Sequence, residues 1–256
     1  MKNYAKYLIS HPLFSGSMVM IIGNNLANVF QYLFHLLMGR MLGPSDYAEL
    51  VSIFSISALL GMVPFSLGLV IVKFISAEKN KNKIVSLASW IEKKSFLLGL
   101  LVGILILIAS PFVSNFLHIS NTLLVSFVAP MFIVGIVTFF NRSTLQGLLK
   151  FKGLVVNFVS EAALKLIFAI ILVLAGYRVF GALLGSLIAG MIVLLMTRVM
   201  LKGYLGKVGK RPDVASLIKY SVPVLLMTIS VTSLYSMDLV LVKHYFSTFE
   251  AGIYSS

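Results

Sequence analysis

The chain has 256 residues, of which 59% are hydrophobic and only 11% charged, and its net charge is +13. Its mean hydropathy is +1.01, whereas a soluble domain carries about 25% charged residues, so this chain has too few charges to cover its surface in water. A soluble enzyme and a nucleic-acid-binding domain are both excluded, because the basic residues fall in short gaps between apolar runs and form no soluble face. With no cysteine, neither disulfides nor Cys-ligated metals are available, and nothing in the sequence asks for a cofactor.

A bilayer core about 30 Å thick needs roughly 20 apolar residues of helix. Seven segments meet that length, at 14–38, 48–72, 96–117, 123–141, 154–175, 179–201 and 220–242. They are continuous and rich in Leu, Ile and Val, unlike the alternating strands of about ten residues in a barrel. The first is too long for a signal-peptide core of about 7–15 residues, so it reads as a retained span. Span one carries Asn24, Asn28, Gln31 and His35 at steps of four, three and four, which places them on one helical face. The outer segment Gly39-Arg40-Met41-Leu42-Gly43-Pro44-Ser45-Asp46-Tyr47-Ala48 follows. Gly43-Pro44 marks a turn there, with Arg40 and Asp46 either part of that turn or a gate on that side.

Pro64 in span two predicts a kink. Between spans two and three, Ile84, Val85, Leu87, Ala88, Trp90 and Ile91 sit among lysines, as in an interfacial helix or a solvated loop with a Trp anchor. Gly99 and Gly103 give span three a packing face. Span four holds Pro130, a second expected kink, and ends on Asn141 and Arg142, the latter an anchor and topology signal or a ligand. Span five presents Asn157, Glu161 and Lys165 at steps of four. Glu161 before Lys165 is the favourable order for an i,i+4 pair. Buried ionisable groups are functional candidates: Glu161 for a coupling proton or cation, Lys165 for a substrate phosphate, the alternative being a structural ion pair. Gly181 and Gly185 make the packing face of span six. Span seven carries Thr228, Thr232, Tyr235 and Asp238 on one face, with Asp238 a coupling site or an interfacial partner of Lys243.

With a cytoplasmic N-terminus, the inner segments hold Lys2, Lys6, Lys73, Lys79, Lys81, Lys83, Lys93, Lys94, Arg142, Lys150, Lys152, Lys202, Lys207, Lys210, Arg211 and Lys219. The outer side holds only Arg40, Arg178 and Lys243. This positive-inside bias orients the bundle in the inner membrane. A shift of 204 residues lays span seven on span one, so that Asn24 meets Thr228, Asn28 meets Thr232 and Gln31 meets Tyr235. Six helices per copy is an even number, so the copies would run parallel, as in parallel-repeat transporters. The expected organisation is a six-helix lobe over 1–210 and the start of a second lobe over 211–256, the chain stopping where an eighth helix opens. A polar stripe facing lipid is costly, so the two stripes are expected to line a central pathway, ordinary interhelical hydrogen bonding being the plainer alternative. No hydrolase, Walker or dinucleotide signature is present, and His11, His35, His118 and His244 are scattered.

Three stretches carry a resemblance. Residues 39–48 are similar to the "G-R-x-L-G-P-x-x-Y-G" turn of the polysaccharide-flippase (Wzx-type) branch of the multidrug/oligosaccharidyl-lipid/polysaccharide exporter superfamily, with Ala48 in place of the usual Gly. Leu145-Gln146-Gly147-Leu148-Leu149-Lys150-Phe151-Lys152, followed by Glu161, Lys165, Gly176, Gly181 and Gly185, resembles its middle. Tyr220-Ser221-Val222-Pro223 leading to Met237-Asp238-Leu239 resembles its seventh helix. The resemblance implies an all-α, polytopic membrane bundle, the first six-helix lobe of a two-lobe MATE-like transporter plus helix seven. It implies an undecaprenyl-pyrophosphate-linked oligosaccharide as cargo, with Glu161, Lys165 and Asp238 as transferable site candidates. Arg142 and the Asn/Gln/Thr stripe fit the polar part of that cargo. A cation-coupled drug exporter of the same superfamily is the alternative, followed by a scaffold without a pathway and then a membrane-embedded polymerase or ligase.

Overall fold

The computed structural model describes residues 12–117, 119, 121–206 and 213–245, with side chains for all of these except 12–15, 229 and 232–245. The helices are α1 (Pro12–Ala77), α2 (Lys81–Phe116), α3 (Thr122–Ser126), α4 (Val128–Gly147), α5 (Phe151–Leu172), α6 (Arg178–Met200) and α7 (Val214–Tyr245). A π-turn at Val173–Tyr177 joins α5 to α6. Among the described residues there is no strand, only an isolated bridge between Lys202 and Leu205. By backbone packing the chain forms two compact units, Met1–Pro212 and Asp213–Ser256. The chain is a multi-pass membrane protein, as its long apolar helices require.

α1 spans 66 residues, about 100 Å if straight, far more than one bilayer. It is in fact two spans, broken at Gly43 (φ 77, ψ 172). The His35 ring contacts the Tyr47 hydroxyl at 3.1 Å, whereas twelve residues of straight helix would hold them about 18 Å apart, so the chain folds back here. A positive φ suits glycine, and Pro44 follows at the first turn of the returning helix, where its missing N–H costs nothing. Gly176 (φ 91) makes the corresponding reversal between α5 and α6. The fold-backs turn four long apolar stretches into six crossings of the first unit.

The expected glycine faces are contact surfaces. A Cβ on Gly185 would stand 2.6 Å from the Ala169 backbone nitrogen, and one on Gly99 2.9 Å from the Ile136 side chain. α6 thus lies directly on α5, and α2 on α4. α2 buries Ser95, Gly99, Gly103, Ser110 and Ser114 while exposing Leu101, Leu105, Ile108, Phe112 and Phe116. Small groups inside and large ones outside are what a lipid-facing helix needs. Its buried hydroxyls stay satisfied locally, Ser95 donating to the Glu92 carbonyl and Ser110 to that of Leu107.

Within the fourth span, Thr122–Gly147, the helix is interrupted at Phe127, between α3 and α4, and Pro130 sits in the first turn of α4, where helix N–H groups lack intrahelical partners anyway. At Pro64 α1 keeps helical backbone angles. The lysine-rich segment after α1 is the start of α2 itself, and Ile84, Leu87, Ala88 and Ile91 are buried in protein, not laid on lipid. Asn80 caps it, accepting the Asn82 N–H at 2.9 Å. The neighbouring Glu78 carboxyl is held below the usual carboxylate range, first by the Asn80 N–H, with Lys83 also contributing.

Candidate functional site

The last turns of α4 carry Arg142, and α5 presents Asn157, Glu161 and Lys165 along one face. Arg142 is 9% exposed, and two of its guanidinium nitrogens have partners. Nη2 meets Glu161 Oε2 at 2.7 Å, Nε donates to Asn157 Oδ1 at 2.6 Å, and Nη2 donates to the Asn157 carbonyl at 3.3 Å. Its carbon lies 4.3 Å from the centre of the Phe158 ring. Asn157, fully buried, passes its own Nδ2 hydrogen to the Val193 carbonyl on α6 at 2.9 Å. Charge, fork geometry and amide together tie three helices at one point.

Glu161 therefore pairs with Arg142 and not, as its i,i+4 spacing suggests, with Lys165. Guanidinium offers a second nitrogen to the carboxylate while keeping Asn157, a division of labour that an ammonium cannot match. Lys165 instead places Nζ 4.1 Å from the ring centres of both Phe34 and Phe54. Those rings come from the two arms of α1 and are edge-to-face neighbours. None of the four ion pairs among the described residues uses Lys165. An ammonium held on ring faces keeps its charge available to a ligand.

Beside this group lies a cavity of about 210 Å³ lined by Glu161, Lys165, Thr138, Ser186, Phe54 and Gly190. The hydroxyls of Thr138 and Ser186 donate backwards to their own helices, each at 2.8 Å, leaving oxygen lone pairs to accept. Phe34, Phe54, Thr138 and Ser186 were not singled out by sequence. The first two read as ordinary apolar span residues, and no spacing rule links four different helices.

Asn24, Asn28 and Gln31 are exposed on the first arm of α1. The packed face of that arm is Gly23, Phe34 and Met38, so at about 100° per residue the stripe lies about a quarter turn to one side of it. Ile22, Leu26, Val29 and Leu36, all exposed, fill the opposite flank. The arm thus has one polar and one apolar edge, although Asn25 on the outward face bonds the Ile21 carbonyl at 2.8 Å. On α7, the Thr228 hydroxyl donates to the Val224 carbonyl at 2.8 Å. Thr232, Tyr235 and Asp238 belong to the same helix, but their side chains lie outside the described residues.

At the other end of the bundle, Asp46 takes a bidentate grip from Arg178, with Nε at 2.7 Å and Nη2 at 2.8 Å. It joins the turn of α1 to that between α5 and α6. Asp46 is thus tied to a neighbouring turn, and sequence counting had registered Arg178 only as one of three outer cations.

The fold is shared with solved transporters. A crystal structure of MATE in complex with Br-NRF matches with a TM-score of 0.62 at 13% identity, over 98% of this chain and 62% of its own. A MOP superfamily transporter from Pyrococcus furiosus, of which reverse polarity of the binding pocket is reported, matches with a TM-score of 0.62 at 16% identity, over 91% of this chain and 56% of its own. A chain named protein A gives 0.69 at 16% identity, over 96% and 59%. The present sequence therefore spans about three fifths of the length of these structures. A search of curated proteins by sequence finds no match. Across residues 13–256 the sequence fits the profile of the family described as polysaccharide biosynthesis protein, and the chain belongs to that family.

Proposed function

We propose that the protein moves an undecaprenyl-pyrophosphate-linked oligosaccharide from the cytoplasmic to the outer leaflet by alternating access, with its lysine-rich ends in the cytoplasm. The observation that carries this reading is Lys165, an intramembrane ammonium on two aromatic rings, in none of the ion pairs among the described residues, at the wall of a cavity that it shares with the polar groups of Thr138, Glu161 and Ser186. A pyrophosphate seeks such a cation, a sugar chain suits the acceptors of Thr138 and Ser186 and the amides of Asn24, Asn28 and Gln31, and a prenyl tail stays in lipid. Arg142 serves by position: neutralised by Glu161, it fixes the helices that carry the cavity wall. Thr228, Thr232, Tyr235 and Asp238 would supply the second lobe's share, and Glu161 is the candidate for a coupling proton or cation.

The test is translocation in proteoliposomes of the full-length protein, following a lipid-pyrophosphate oligosaccharide and a cationic dye side by side. Glycan movement that falls at least about tenfold in Lys165→Ala, the loss expected for one charge-assisted contact, supports the reading. Gradient-dependent dye movement without glycan transfer overturns it in favour of a cation-coupled drug exporter.

A further inference from the structure

A second cavity, of about 560 Å³, lies at the lysine-rich end of the bundle. It sits where α1 begins, α4 turns into α5 and α6 ends. Val19, Leu145, Leu149 and Met200 give it apolar walls, and Lys150 and Lys152 stand beside them. Lys150 is fifteen residues before Lys165 on the same stretch of chain, about 22 Å along a helix, so this is not the polar cavity described above.

Three observations point to a ligand. The first is uncompensated charge: none of the four ion pairs among the described residues involves Lys150 or Lys152. The second is placement. Lys150 Nζ donates to the Met200 carbonyl at 3.1 Å and lies 4.5 Å from the centre of the Tyr204 ring, contacts that hold an ammonium still without neutralising it. The third is strain at the rim. The α4–α5 turn is a Schellman motif, with Lys150 N–H on the Leu145 carbonyl and Leu149 N–H on that of Gln146, both at 2.9 Å. Its left-handed position usually falls to glycine, yet here it is Leu149 at φ 56, with its side chain 51% exposed. An unfavourable backbone that keeps an exposed apolar side chain beside two cations points to use.

We propose that this cavity is a resident-lipid site for an anionic phospholipid of the adjoining leaflet. Its phosphate meets Lys150 and Lys152, and its chain runs along Val19, Leu145, Leu149 and Met200. Basic recesses between spans suit lipid headgroups at this level, and a free phosphate would make no use of the apolar wall. The proposal rests on membrane embedding alone and is indifferent to the cargo.

Native mass spectrometry of the purified full chain, titrated with phosphatidylglycerol and with phosphatidylcholine, tests it. Wild type retains phosphatidylglycerol preferentially. Lys150→Gln/Lys152→Gln lowers that retention about 30-fold and Lys152→Gln alone about 5-fold, from the attraction expected per lysine at a headgroup. Lys93→Gln/Lys94→Gln, which removes two exposed lysines of α2, leaves retention within about twofold. Lys152 has an exposed side chain, so its variant stays informative even if the double substitution unfolds the turn. Equal losses in the two double variants, no loss in Lys152→Gln, or displacement of the lipid by inorganic pyrophosphate at matching concentration would each overturn the proposal.

Discussion

Replacing Glu161 with Gln leaves the size of the side chain nearly unchanged and removes the carboxylate from the buried guanidinium of Arg142. Breaking a fully buried pair costs about 3–5 kcal/mol, and an exposed pair contributes about 1 kcal/mol or less. This pair lies between: Arg142 is 9% exposed, the Glu161 side chain is 38% exposed, and Arg142 keeps Asn157 and the Phe158 ring. We therefore expect Glu161→Gln to cost about 2 kcal/mol. Arg142→Met should cost about as much, since it strands Glu161 and an Asn157 acceptor. The double variant removes both charges together, so its loss should fall short of the sum by about 1.5 kcal/mol. Unfolding in SDS can be followed through Trp90, the only tryptophan in the sequence. Loss equal to the sum of the singles within about 0.5 kcal/mol would show that the two side chains are neighbours without being energetic partners.

Gly185→Ala drives a Cβ into the Ala169 backbone and should destabilise by about 2 kcal/mol in the same unfolding assay. Gly135→Ala meets open space and should be neutral or stabilising by up to about 1 kcal/mol; because Gly135 lines the polar cavity, it should still slow glycan transfer. At the turn between α5 and α6 Arg178 has φ 47 and its side chain is 75% exposed. Arg178→Ala, which loses the ion pair and keeps the strain, should lower the thermal midpoint more than Arg178→Gly, which loses the pair but relieves the strain; the reverse order would refute the account of that turn. Leu149→Gly should stabilise the chain by about 1 kcal/mol while weakening phosphatidylglycerol retention, a split that a purely structural Leu149 would not produce.

The spans, the reversal at Gly43-Pro44 and the glycine contact faces were legible in the sequence because each follows from a local rule: a length, a φ, a missing Cβ. The partner of Glu161 was not. The i,i+4 rule sees only one helix, and Arg142 arrives from another, at a distance in sequence that no periodicity encodes. Nor was the role of the segment around Ile84 and Trp90 legible, since an apolar face meant for lipid and one meant for protein have the same pattern. The stripe of Asn24, Asn28 and Gln31 was readable as a face, but which edge of α1 it occupies depended on where Gly23 and Phe34 pack.

α2 carries its bulk outward and its small residues inward, so its tolerance of mutation should be sorted by size more than by polarity. Lipid tails are fluid and fit any outline, so Leu101, Leu105 and Ile108 can be exchanged among large apolar residues with little consequence. On the inner edge the neighbouring helices are fixed, Ser110 taking the Ser126 hydroxyl of α3 at 3.0 Å, and Ser110→Val, though more hydrophobic, would wedge the helices apart. A substitution scale learned from water-soluble cores, where adding an apolar group to a polar position looks like an improvement, would rank these two edges in the wrong order.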